Sequence, residues 1–146
     1  MQTFLPYGND YYSNASILDL KRLGKQRVEN LQILNCLAGK SKGWVNHPAV
    51  RMWRGHEGSL LNYQIAICAT WGDYGYKDSC LVKSVGVFKD AKFPDDSWRI
   101  PWWLEDEEER NAIAISHRSN LIRKNPNVYQ KHWPEIPNDI PYHWPV

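Results

Sequence analysis

Residues 20–38, LKRLGKQRVENLQILNCLA, decide the fold class. On a 3.6-residue wheel Leu20, Leu23, Leu31, Leu34 and Ala38 share one face, and Lys21, Arg22, Lys25, Glu29 and Gln32 share the opposite one. That period belongs to an amphipathic helix. Ser13 or Asn14 supplies a cap ahead of it and Gly39 a stop, so the pattern predicts one helix running to about Leu37. Arg27 is the exception, because it projects toward the apolar side, where a guanidinium needs a partner or a wet cleft.

Two more helices follow from the same reasoning. His47-Pro48 opens the second, with proline tolerated in a first turn, and it runs through VRMWRGHEGSLLNYQIAICATW to about Trp71. Leu60, Leu61, Ile65, Ile67 and Ala69 give it a core face. Gly55 and Gly58 weaken its first half, each by up to about 1 kcal/mol relative to alanine, and permit a close approach by a packed neighbour. The third helix spans roughly Glu105 to Lys124, with carboxylates near its positive end and Arg118, Arg123 and Lys124 nearer the other.

The rest reads as loop. Residues 1–13 form an irregular arm with aromatic anchors. The turn formers of 72–103 (GDYGY, FPDDSW, IPWW) predict a long, mostly irregular connection, with at most a short strand or helical turn around Leu81–Phe88. Beyond Asn125-Pro126 the prolines disfavour helix and predict an extended aromatic strap. The expectation is one all-α domain over residues 1–146: a compact bundle of three main helices with long loops and an extended, Pro-rich C-terminal tail.

Composition narrows the function. With 42% apolar and 23% charged residues, the chain is no disordered tail. No apolar run approaches the roughly 18–20 residues of a membrane span, so no membrane partner is expected. The opening MQTFLPYGNDYY lacks the basic and apolar parts of a secretory signal, and three widely spaced cysteines (Cys36, Cys68, Cys80) suit reduced thiols. A cytoplasmic, non-secreted protein is therefore expected. A net charge of +2 does not by itself announce a nucleic-acid binder. Eight Trp and eight Tyr against three Phe suit a surface that stacks flat ligands, and equally a small core short of aliphatic bulk.

No glycine-rich phosphate loop, zinc-protease pattern or nucleophile elbow is present. The five histidines are scattered, so neither metal nor cofactor is expected. His47 and His56 bracket Arg51 and Trp53, and a helix brings 47 with 51, and 53 with 56, to a common side. Such a grouping suits a phosphate or a stacked base; surface histidines without a role fit as well. Glu29 lies one turn from Lys25 and two from Arg22. Neighbouring cations favour the charged carboxylate, which makes a poor general acid but a good stabiliser of a developing cation. A plain i, i+4 pair worth about 0.3–0.5 kcal/mol accounts for the same spacing.

The order of motifs adds what spacing lacks. LGKQRVE (23–29), GHEGSLLNYQIAI (55–67), WRIP (98–101), AIAISHRSNLIRKNP (112–126) and VYQKHW (128–133) follow one another along the chain. The series resembles the pyrimidine-dimer DNA glycosylases of the phage endonuclease V type, and among them a bacterial and phage branch with the opening MQTFLPY and the motif HPAVRMW. It covers nearly the whole chain, with 74–97 matching poorly.

The resemblance implies an all-α DNA glycosylase/AP lyase acting on damaged or modified pyrimidines, in the nucleoid or in a phage-infected cell. In that family the N-terminal amine attacks C1′ of the lesion nucleotide, expels the base and forms an imine; β-elimination then cuts the strand. By position the helix glutamate that stabilises the sugar cation is Glu29. Arg22, Lys25, Gln26 and Arg27 of the same helix would meet the DNA backbone. Arg118 and the aromatic-basic Tyr129, Lys131 and Trp133 would lie against DNA. The implied partner is double-stranded DNA carrying a lesion or modified base, or a nucleotide ligand, with no obligate protein partner. One departure stands out: Gln2 follows Met1, and so large a side chain blocks removal of the initiator. The Met1 amine then becomes the candidate nucleophile, with Gln2 beside it. A non-catalytic nucleotide- or nucleic-acid-binding protein on the same scaffold is the second reading.

Overall fold

Eight α-helices and one 3₁₀ turn, with no strand, make up the chain in a computed structural model that describes residues 1–146. In order they are α1 (Tyr11–Ile17), α2 (Leu20–Leu37), α3 (Pro48–Arg51), α4 (Glu57–Asp73), α5 (Cys80–Ala91), α6 (Trp102–Glu105), α7 (Glu107–Lys124) and α8 (Pro126–Tyr129), with the 3₁₀ turn at Asp95–Trp98. The all-α class read from periodicity holds, and no helix is long and apolar enough to cross a membrane.

The bundle has four long helices where three were expected. The fourth, α5, occupies the segment read as an irregular connection. Asp78 starts it by accepting the N–H groups of Cys80 (3.1 Å) and Leu81 (3.0 Å). Cys80, Ser84 and Val87 then bury one side, and α5 packs on α2 and α4. Three valines and Gly86 give this stretch little intrinsic helix preference, and tertiary burial overrides it. Two other expected helices are broken. The first splits at Leu18–Asp19, where Asp19 is extended and its carboxylate takes hydrogen bonds from Arg22 (3.2 Å) and the Tyr129 hydroxyl. The second splits after α3, where Gly55 sits at φ +86° and turns the chain into α4. Close packing is realised at Gly58 instead: a Cβ there would stand 2.5 Å from the Trp98 ring and 2.9 Å from its Cα.

The core joins Leu23, Ile33, Leu34 and Leu37 of α2 to Leu60, Tyr63 and Ile67 of α4, Ile113, Leu121 and Ile122 of α7, and the buried Trp53 and Trp103. The three cysteines are buried and unpaired. The face of α2 that enters this core is rotated from the one expected. Leu20 is 41% exposed, whereas Gln26 and Asn30 are buried at 1% and 0%. These two amides have polar partners inside the protein: Gln26 holds the backbone of the N-terminal arm, and Asn30 bridges Gln26 and Gln64.

Residues 2–8 run through the interior without a neighbouring strand, so their peptide groups must find side chains instead. Gln26 donates to the Gln2 carbonyl (2.7 Å) and accepts the Phe4 N–H (3.1 Å). Tyr63 donates to the Phe4 carbonyl (2.6 Å), and the Leu5 N–H goes to His117 Nδ1 (2.8 Å). Arg118 donates to the Pro6 carbonyl (2.9 Å). Asn14 accepts the Tyr7 N–H (2.7 Å) and donates to the Gly8 carbonyl (2.8 Å). The Thr3 hydroxyl accepts the Trp53 indole N–H (3.1 Å). Each buried peptide group left unmade would cost about 1–3 kcal/mol, so this set defines the arm's path.

The His117 contact carries a pH dependence. Nδ1 accepts a hydrogen bond, so the ring is neutral with its proton on Nε2; burial, with the nearby His143 adding to it, pushes its pKa down from 6.5 to about 3. The unfolded chain therefore takes up this proton near pH 6.5 and the folded chain only near 3, so stability falls as pH drops through that window. At about 1.4 kcal/mol per pH unit, we expect the wild type to lose about 2 kcal/mol more than His117→Gln between pH 6.5 and 5. Urea unfolding at the two pH values measures this. Parallel losses would contradict it.

Candidate functional site

A cleft of about 360 Å³ opens where the start of the arm crosses the polar face of α2. The arm contributes Met1, Gln2 and Phe4; α2 contributes Lys21, Arg22, Lys25, Gln26 and Glu29; Lys124 comes from the end of α7 and Tyr142 from the tail. The helix repeat explains the α2 set. Residues 22, 25 and 29 stand one above another on a single face, and Gln26 lies at its edge, where it also grips the arm.

Glu29 is held from two sides. Its Oε2 accepts the Gln2 N–H at 3.3 Å, and its Oε1 lies 3.7 Å from Lys25 Nζ. The lysine is 71% exposed, so that ion pair alone is the weak surface type anticipated from spacing. The bond to Gln2 is different. It ties the carboxylate to the second residue of the chain and leaves Met1 in the same cleft.

The field in the cleft is positive. Four cationic side chains (Lys21, Arg22, Lys25, Lys124) and one carboxylate, Glu29, line the cleft beside Met1, with Arg22 also paired to Asp19 at 3.2 Å. Burial holds the Lys124 ammonium below its usual range, as do Arg22, Lys25 and Arg123, with Glu29 opposing. The His47 imidazole is lowered by burial and next by the charge of the terminal amine, and Glu29 again opposes. His47 therefore lies within electrostatic reach of both the terminal amine and Glu29.

The structure brings Met1, Gln2, Arg22, Lys25, Gln26 and Glu29 together and keeps other candidate residues away. Arg27 turns to the far side, where it pairs with Asp78 (2.5 Å) and lies 4.4 Å over the Trp71 ring. Burial alone would raise the Asp78 carboxyl, but hydrogen bonds from the Leu81 N–H, Arg27 and the Cys80 N–H hold it below its usual range. Trp53 is fully buried against Tyr63 and Trp103. Tyr129 and Trp133 stack at 5.9 Å inside the fold, and Arg118 lies over Trp133 and Tyr7. Arg51 is exposed at the end of α3, His56 precedes α4, and Lys131 is exposed on the tail; none of the three lines the cleft. Sequence reasoning passed over Lys124, which read as an ordinary cation at a helix end, and Tyr142, which carries no periodic signal in the tail.

Residues 1–84, more than half of the chain, match the family model described as pyrimidine dimer DNA glycosylase. The chain belongs to this family. The matched part holds the arm, α2 and eleven of the candidate residues, Met1 to His56; the other four lie in the C-terminal third. No curated protein and no solved structure matches the chain. For this family member, the geometry separates two cations that sequence placed together, Arg27 and Lys25. Arg27→Ala leaves the partly buried Asp78 without its cation and is expected to cost about 1.5–2 kcal/mol, the scale of a lost charge-assisted hydrogen bond. Lys25→Ala removes an exposed pair and is expected to change stability by less than about 0.5 kcal/mol. Chemical denaturation of the two variants measures the contrast; equal, small losses would remove the structural role given to Arg27.

Proposed function

We propose that the protein is a DNA glycosylase and AP lyase acting on damaged or modified pyrimidines, with the Met1 amine as nucleophile and Glu29 as the stabilising carboxylate. The observation that carries this reading is the bond from the Gln2 N–H to Glu29, which holds the start of the chain and a carboxylate together in a cationic cleft. Membership of a family named for pyrimidine dimer DNA glycosylases supports the substrate class.

The chemistry runs as follows. The target nucleotide has to leave the base stack before its C1′ is reachable, and Lys21, Arg22, Lys25 and Lys124 offer contacts for the flanking phosphates. The amine lone pair forms a bond to C1′ while the electron pair of the C1′–N1 bond departs with the pyrimidine. Positive charge develops on the sugar, and Glu29 stabilises it at short range. Loss of a proton from nitrogen and opening of the sugar ring give an imine. Removal of a C2′ proton then expels the 3′ phosphate by β-elimination, and hydrolysis of the imine restores the amine. A carboxylate already held by a backbone N–H is aimed before the substrate arrives, which lowers the cost of organising the site.

Borohydride reduction during incubation with abasic-site DNA tests the proposal. The expected result is a covalent adduct mapped by mass spectrometry to the Met1 nitrogen, lost when the amine is blocked and reduced by roughly 100-fold or more in Glu29→Gln, the scale of removing one charge-stabilising group. A protein that binds the DNA yet never forms the adduct belongs to the second reading, a nucleic-acid binder on the same scaffold.

A further inference from the structure

The lining of the cleft is basic along α2 and aromatic along the tail, and the aromatic part continues outward. Tyr142 lines the cleft, and its ring lies 5.7 Å from Trp144. Trp144 meets the His47 ring at 5.7 Å, edge-on, and His47 meets Trp44 at 5.7 Å in the same manner. His47 is the fixed hub of this row. Its Nδ1 accepts the Ala49 N–H (3.0 Å), and its own backbone N–H closes the turn to the Trp44 carbonyl (2.9 Å). Packing accounts for Tyr142 and Trp144, which lie against the buried cluster. It does not account for Trp44, which is 53% exposed.

We propose that Tyr142, Trp144 and Trp44 form a stacking platform for the bases of an unpaired DNA strand whose phosphates meet the cations of the cleft. The inference rests on reading the cleft as a nucleic-acid site and is independent of the lyase chemistry. Charge complementarity selects the occupant: Lys21, Lys25 and Lys124, with Arg22 shared with Asp19, outnumber Glu29 and favour a polyanion, and only a nucleic acid joins a polyanionic backbone to flat rings. Lys42 adds an exposed cation in the loop that carries Trp44, whereas Lys40 of that loop is occupied by Asp90 at 3.6 Å. A phosphate, its sugar and its base would then lie over the basic face, Met1 with Glu29, and the aromatic row respectively. Bases stack on such rings whatever their identity, so the platform serves any nucleotide turned out of the duplex.

Two same-length oligomers separate the base contribution from that of the backbone: an oligothymidylate and a chain of abasic sugar phosphates, titrated at one salt concentration. The wild type should prefer the oligothymidylate. Trp44→Ala and Trp144→Ala should each weaken that binding roughly tenfold, the scale of one lost stacking contact, while weakening the abasic oligomer no more than about twofold. Trp44→Phe should keep most of the affinity. Circular dichroism checks that each variant is folded, and the exposed Trp44 is the safer of the two. Equal losses for both oligomers, no loss for either, or a wild type without preference for bases would each overturn the platform. A protein that prefers bases but forms no borohydride adduct keeps the platform and loses the lyase reading. One that forms the adduct without preferring bases does the reverse.

Discussion

The side chain of Gln26 does the work of a missing strand. Its carbonyl accepts from Phe4 and its amide donates to the Gln2 carbonyl, so one residue binds the arm in both directions, as a neighbouring peptide unit would. The same amide donates to Asn30 (2.9 Å), Asn30 donates to Gln64 (2.9 Å), and Gln64 donates to the Arg27 carbonyl (2.8 Å) and Ser84 (3.1 Å). A continuous row of buried amides thereby couples the arm, α2, α4 and α5. Buried polar rows are costly when incomplete and specific when complete. Here the specificity concerns where the chain begins. Tyr63, His117, Arg118 and Asn14 continue the hold along residues 4–8.

Position follows from that constraint. An N-terminus ordinarily frays, yet this one enters the protein, and Glu29 lies one helical turn beyond Gln26 on the same helix. The cleft then forms from parts distant in sequence: the first two residues, the basic face of α2, the last turn of α7 and the tail. The tail reaches back because Ser119 accepts the Ile140 N–H (3.0 Å), Asn120 donates to the Ile140 carbonyl (3.0 Å), and Tyr142 packs edge-on against His117 at 5.8 Å. Burial pushes the Tyr142 hydroxyl up to about 12, Glu29 adding to it while Arg123 and Arg22 oppose, so the ring stays neutral beside the cations. The arm's anchor His117 and the cleft's aromatic wall are thus one packed unit.

Much of the fold was legible in the sequence. α2 and α7 announce themselves by period, and α7 also by its acidic first turn and basic last turn. The line of Arg22, Lys25 and Glu29 follows from helix geometry. What escaped did so for identifiable reasons. Helix α5 is rich in valine and holds Gly86, so its existence depends on Asp78 and on burial against α2 and α4. Gln26 and Asn30 belong to the buried face, but a wheel that sorts residues by hydrophobicity cannot foresee a backbone as the partner of one and a buried amide as that of the other. Tyr129 and Trp133 read as surface aromatics because nothing local reveals that Asp19 will hold the Tyr129 hydroxyl. Lys124 and Tyr142 join the cleft only through tertiary contacts, and no local signal marks them.

Native-state amide hydrogen exchange at Phe4 and Leu5 tests the central claim, that side chains of the bundle hold the start of the chain in place. The account predicts that these two amides exchange as slowly as those of Ile33 and Leu34 in the core of α2, because releasing them requires opening the bundle. Exchange at the rate of a frayed terminus, with Ile33 and Leu34 still protected, would contradict it.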